Sequence, residues 1–165
     1  MKRVQKLCAD AMRGALAGAA GSAMLDATTY ADIAIRGRPP SELPEKMVRV
    51  LAKNLGLAAL AAPDAKVSPG LKNRRIGLGA LLGYADGLGA GLAFGVVRPY
   101  LRGVPWFVSG IALAVATGLV SEGTATLLKQ TNPKKWGAAG WLSDFIPRCI
   151  YGWTTCIAFD LMADA

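Results

Sequence analysis

Gly79, Gly83, Gly87, Gly91 and Gly95 fall on a strict four-residue period inside an apolar run. In water each glycine costs a helix about 1 kcal/mol relative to alanine, so five in one helix make a poor soluble element. In lipid the balance reverses. The backbone there cannot release its hydrogen bonds, and a groove of glycines lets a second helix approach closely where no hydrophobic drive exists between helices. The ladder predicts a membrane protein with tightly associated helices.

The rest of the 165-residue chain agrees with that class, being 53% hydrophobic and only 18% charged. Four segments approach the roughly 20 residues that a bilayer-spanning helix needs: 14–35, 76–97, 104–127 and 143–162. The expected architecture is all-α, a four-helix transmembrane bundle forming a single integral membrane domain over 1–165. Arg36-Gly37-Arg38-Pro39-Pro40 stops the first segment and Arg98-Pro99 the second. Pro105 suits the first turn of the third, and Ser143 or Asp144 can cap the fourth, with Pro147 in its first turn. Trp106, Trp136 and Trp141 stand at segment edges, as in an aromatic belt. A soluble bundle of four buried helices is the competing reading, and its glycine content counts against it. The opening Met1-Lys2-Arg3 has the charge of a signal peptide, but the apolar segment behind it is too long and carries Asp26 and Asp32, so it reads as a retained helix.

Residues 36–75 form the one extramembrane region with room for structure. Met47, Val50, Leu51, Leu55 and Ala58 recur at helical spacing there, opposite Lys46, Arg49 and Lys53. This predicts an amphipathic helix over about 44–58 lying on the headgroups, the alternative being a helix packed on the end of the bundle. Lys46, Arg49, Lys53, Lys72, Arg74 and Arg75 are the expected headgroup contacts, making membrane lipid a partner. No basic stretch is interleaved with aromatics, which argues against nucleic acid. Loops one and three carry twelve basic residues against six for the N-terminal arm and loop two. The positive-inside rule then places those loops in the cytoplasm and both termini outside the plasma membrane.

Histidine is absent, which removes the usual haem ligand and most zinc sites. Cys8, Cys149 and Cys156 form no Cys-x-x-Cys pair and read as buried apolar thiols. No nucleophile and base stand together, and no cofactor or metal is expected, so the chain does not read as an enzyme. Gly-x-Gly patterns such as Gly77-Leu78-Gly79 lack both a preceding strand and a following lysine, and are no phosphate cradle.

Ionisable residues within spans are the remaining candidates for chemistry. Counted from loop one, Asp26 and Asp86 reach the midplane without a basic residue at comparable depth. They could form a proton-carrying or cation-coordinating pair, or two protonated acids holding helices together, with Thr28, Thr29, Tyr30 and Tyr84 as hydrogen-bonding neighbours. Glu122 and Arg148 arrive at equal depth with opposite charge and are expected to pair. Asp144 reads as a helix cap, Asp32 as a partner of Arg36 one turn away, and Asp160 as a snorkelling acid at its helix end. Gly14, Gly18, Ser22, Asp26 and Tyr30 make a second four-residue row. Two small-residue faces suggest one for packing within the chain and one for a partner, and the groove beside Asp86 is expected either where the first two spans meet or where a partner covers them.

Leu25-Asp26, Tyr30-x-Asp32, Arg36-Gly37-Arg38-Pro39 and Pro44-Glu45 resemble a pattern in small multi-pass membrane proteins of actinobacterial type. Trp141-Leu142-Ser143-Asp144, Pro147 and Tyr151-Gly152 look like that group's last-span signature. The glycine-rich first span ending in an acid is more distantly similar to YagU-type inner-membrane proteins. The resemblance implies a membrane protein and marks Asp26, Tyr30, Asp32, Glu45 and Asp144 as candidate positions, without an activity. The expected function is a non-enzymatic structural or accessory membrane subunit, self-associating or part of a larger complex through its glycine-rich faces. The alternative is a small transporter or channel using the midplane carboxylates.

Overall fold

Four long helices and two short ones account for the regular structure in a computed structural model that describes residues 2–63, 67–101 and 103–164. Helix α1 spans Lys2–Arg36 and ends where Gly37, at φ +63°, takes the left-handed conformation and donates its N–H to Ile33 O at 2.8 Å. A glycine closes a helix this way because it has no Cβ to clash. Helices α2 (Leu43–Asn54) and α3 (Ala58–Ala61) are separated by Gly56, at φ +71°. The amphipathic helix expected over 44–58 is therefore broken, since a left-handed residue cannot continue a right-handed helix.

Helix α4 (Pro69–Val97) begins at the Ser68 cap, whose Oγ accepts the Leu71 N–H at 3.4 Å, and runs into a 3₁₀ turn over Arg98–Leu101. Helix α5 (Trp106–Leu127) starts directly after Pro105. Helix α6 (Gly137–Ala163) follows a 3₁₀ turn at Pro133–Lys135. Its early start corrects two expectations: Asp144 is an interior residue, not a cap, and Pro147 lies inside the helix, not in its first turn. The apolar stretch from Ala138 to Leu142 simply carries the helix back beyond the segment that hydropathy marks. An internal proline removes one backbone donor from the helix ladder.

The stretches Pro69–Leu101 and Trp106–Leu127 are long and apolar enough to cross a membrane, with mean hydropathy 1.5 and 1.4. The other two expected spans, within α1 and α6, do not reach that measure. Asp26 and Asp32 in the first, and Asp144, Arg148 and Asp160 in the second, dilute their apolar character.

Helix α1 lies between α4 and α6, α5 packs on α6, and α2 packs along the first half of α4. The glycine ladder explains the tightest of these contacts. A Cβ added to Gly14 would stand 2.7 Å from Gly95 Cα, one added to Gly18 would stand 2.9 Å from Gly91 Cα, and Gly87 faces Ser22. The two small-residue rows thus close on each other in antiparallel register, so Gly87, Gly91 and Gly95 are spent inside the chain. Gly79 instead accommodates Pro44 of α2, and Gly83 faces open space. A second close approach, Gly110 against Gly152, joins α5 to α6. The core at the crossing holds Ala17, Phe94, Leu113, Tyr151, Cys156 and Phe159. Phe94 and Phe159 meet edge to face at 5.9 Å, the arrangement ring quadrupoles favour.

Candidate functional site

Arg148 occupies the α5–α6 interface and gathers two acids. Its Nη2 donates to Glu122 Oε1 at 2.9 Å, while Nε and Nη2 donate to the Asp144 carboxylate at 2.8 and 3.0 Å. Gly118 makes this reach possible: a Cβ there would stand 3.6 Å from Arg148 Cδ, so the side chain lies across the helix as across a flat surface. The Arg148 and Glu122 side chains are only 15% and 14% exposed, so the charges are largely withdrawn from solvent. A planar guanidinium suits this place because its fixed fork serves two carboxylates at once. One oxygen stays unsatisfied: Glu122 Oε2, like the neighbouring Ser121 Oγ, is buried with no hydrogen-bond partner among the described residues.

Asp86 lies on the α4 flank of this group, exposed in the isolated chain but within electrostatic reach of Arg148. Asp26 is half-buried on α1 and interacts with Tyr84 across the α1–α4 pair. The ladder register accounts for this, since Ser22 opposite Gly87 brings Asp26, one turn later, opposite residues 83 and 84. No hydrogen bond or ion pair joins Asp26 to Asp86 among the described residues. The two acids point to different neighbours, so the structure does not assemble them into a pair. Tyr30 is exposed.

Other polar positions close the ends of the fold. Asp32 accepts from Arg36 at 3.2 Å and from Arg38 at 2.5 Å, and Arg36 also donates to Ser143 Oγ at 2.5 Å, tying the end of α1 to α6. Of the expected headgroup contacts, Lys53, Lys72 and Arg74 are exposed, Arg49 is half-buried and Lys46 pairs with Glu42 at 3.1 Å. Arg75, expected at the headgroups, is instead 2% exposed and donates to Leu60 O at 3.0 Å and to Ala62 O. These are carbonyls at the end of α3, where the helix ladder runs out and an arginine can serve in its place.

Two groups escape the sequence reading. Arg98 donates to both oxygens of Asp160 at 2.9 and 2.6 Å, and to Ser109 Oγ, Leu101 O and Val104 O. Asp160 is therefore an ion-pair partner, not a snorkelling acid. The clue was available, since an even number of spans between them returns the ends of the second and fourth segments to one side. Tyr151 donates to Gly87 O at 2.7 Å, a direct tie from α6 to α4. Nothing in the sequence marks that contact.

Among the described residues no three His, Cys, Asp or Glu side chains are placed to share a metal ion. Cys149 and Cys156 are buried free thiols, whereas Cys8 is exposed, against the expectation for it. What the Arg148 group can do is hold α5 to α6 and leave one carboxylate oxygen, Glu122 Oε2, to accept a proton or a hydrogen bond from water. Comparison with known protein families, curated proteins and solved structures finds no match.

Proposed function

We propose that the chain is a multi-pass integral protein of the plasma membrane, with α1, α4, α5 and α6 crossing the bilayer, and that its role is structural or accessory and non-enzymatic. One observation carries the reading. The accessible surface is 10439 Å², whereas a compact soluble chain of 17.2 kDa would expose about 7,800 Å². Much of the excess is apolar: Leu81, Leu92, Val115, Leu119 and Val120 all point outward, and the spanning stretches of α4 and α5 are only 17% and 22% buried. A soluble core helix would be mostly covered, so acyl chains are the natural solvent for these faces.

Helix α2 fits the membrane surface with two apolar stripes. Val48 and Ala52 are buried against the fold, while Leu51, and Leu55 just past the helix end, stay outward. Because α1 covers most of the ladder, assembly with copies or with a larger complex uses the outer faces of α4 and α5. Membranes washed with alkaline carbonate should retain the chain in the pellet, and only detergent should release it. Recovery in the carbonate supernatant would overturn the membrane reading.

A second reading, a small proton or cation path, is favoured by the unsatisfied Glu122 Oε2 in a largely buried ion group. It predicts that proteoliposomes dissipate a pH gradient faster than protein-free vesicles, and that Glu122→Gln removes most of the difference. Equal rates with and without protein discard it.

A further inference from the structure

We propose that the groove between α3 and α4 seats one acyl chain of an anionic phospholipid, with the phosphate held by Arg74. The inference rests on the membrane reading above and goes beyond it by naming a site. The groove is an open trough with a volume of about 780 Å³, and its walls include Leu57, Leu60, Leu71, Leu78 and Leu81. Gly77 forms part of its floor, and a Cβ there would meet open space.

The walls are held in place from behind. Arg75, almost wholly buried, bonds the carbonyls of Leu60 and Ala62 and so fixes the end of α3 against α4. Its neighbour Arg74 lies one helical step round, lines the groove, is exposed and makes no ion pair among the described residues. Lys72, two residues earlier, is likewise exposed and unpaired among the described residues. Two adjacent arginines therefore divide between them the structural and the ligand-facing positions. An apolar trough with an unneutralised guanidinium on its lining complements an amphiphile with an apolar tail and an anionic head. A guanidinium also binds phosphate through paired hydrogen bonds. The site lies near the start of α4, where the chain carries its densest positive charge, which places the phosphate at headgroup level and the tail alongside α4.

The test uses the full chain in mild detergent, incubated with equal amounts of dioleoyl phosphatidylglycerol and dioleoyl phosphatidylcholine and weighed by native mass spectrometry. The expected result is one retained phosphatidylglycerol, at least tenfold over phosphatidylcholine. Arg74→Gln should bring the two lipids level, and Gly77→Trp, which fills the trough, should remove both. Neither position makes a contact the fold depends on, so both variants should keep the wild-type helical circular dichroism and melting. Equal retention of the two lipids by the wild-type chain, retention unchanged in both variants, or uptake of free oleate alone would each overturn the proposal. A chain that leaves membranes without detergent fails the membrane reading itself. A chain that needs detergent while both variants bind lipid normally fails only the groove.

Discussion

Leucine at position 91 should destroy the native helix assembly, while leucine at position 83, on the same helix and the same period, should leave it intact. The difference follows from what each Cβ would meet. At Gly91 it would stand 2.6 Å from Gly18 Cα and against Gly14 O, and these are backbone atoms of a packed helix that cannot rotate away. At Gly83 there is nothing within 4 Å. Overpacking a well-fitted interior costs about 1–3 kcal/mol when side chains can adjust, and a backbone obstruction puts Gly91→Leu at or above the top of that range. For a chain of this size that corresponds to a fall in melting temperature of about 10 °C, or to no folded species at all. Thermal melts of the two variants in the same detergent decide the matter. If Gly91→Leu and Gly83→Leu melt alike, the α1–α4 contact is not what holds the fold.

The second large effect belongs to Arg148. Replacing it with methionine keeps the apolar stem and removes the fork that serves Glu122 and Asp144, leaving two largely buried acids without their cation. Breaking a buried ion group from one side costs about 3–5 kcal/mol, most of it the penalty of the charges left behind. Arg148→Lys should fall between, since one ammonium cannot reproduce the bidentate contact with Asp144 while reaching Glu122. The triple replacement Arg148→Met, Glu122→Gln, Asp144→Asn removes the stranded charges and should recover most of the loss. If the triple variant is no more stable than Arg148→Met, the damage lies in packing over Gly118 and not in electrostatics.

The helices themselves are legible in the sequence because hydropathy and helix breakers act locally. Arg36-Gly37 does end α1, and Pro105 does precede α5. The meeting of Glu122 with Arg148 follows from counting depth on either side of a short loop. What local rules miss is where a helix runs on beyond its apolar stretch. Helix α6 begins at Gly137, so Asp144 is an internal ion-pair partner, and α4 begins at Pro69, so Arg75 lies inside that helix and turns onto the end of α3. The Asp26–Asp86 pairing fails for a related reason. Equal depth does not mean a shared face, and Asp86, one position from Gly87, is turned about 100° off the glycine row. The ladder's use inside the chain was one of two readings open to periodicity, because small residues look the same whether a neighbouring helix or a separate molecule covers them.

The position of α1 between α4 and α6 also sets a timetable for biosynthesis. Its principal partner ends at Val97, 61 residues after Arg36. At ribosomal speeds of 5–20 residues per second the first helix waits about 3–12 s before the ladder that closes on it has been made. During that interval Gly14, Gly18 and Ser22 are an uncovered seam. Helices α5 and α6 wait less, since α6 ends at Ala163, 36 residues after Leu127, or about 2–7 s at the same speeds. The partners of α1 thus arrive in two instalments, α4 first and α6 after it.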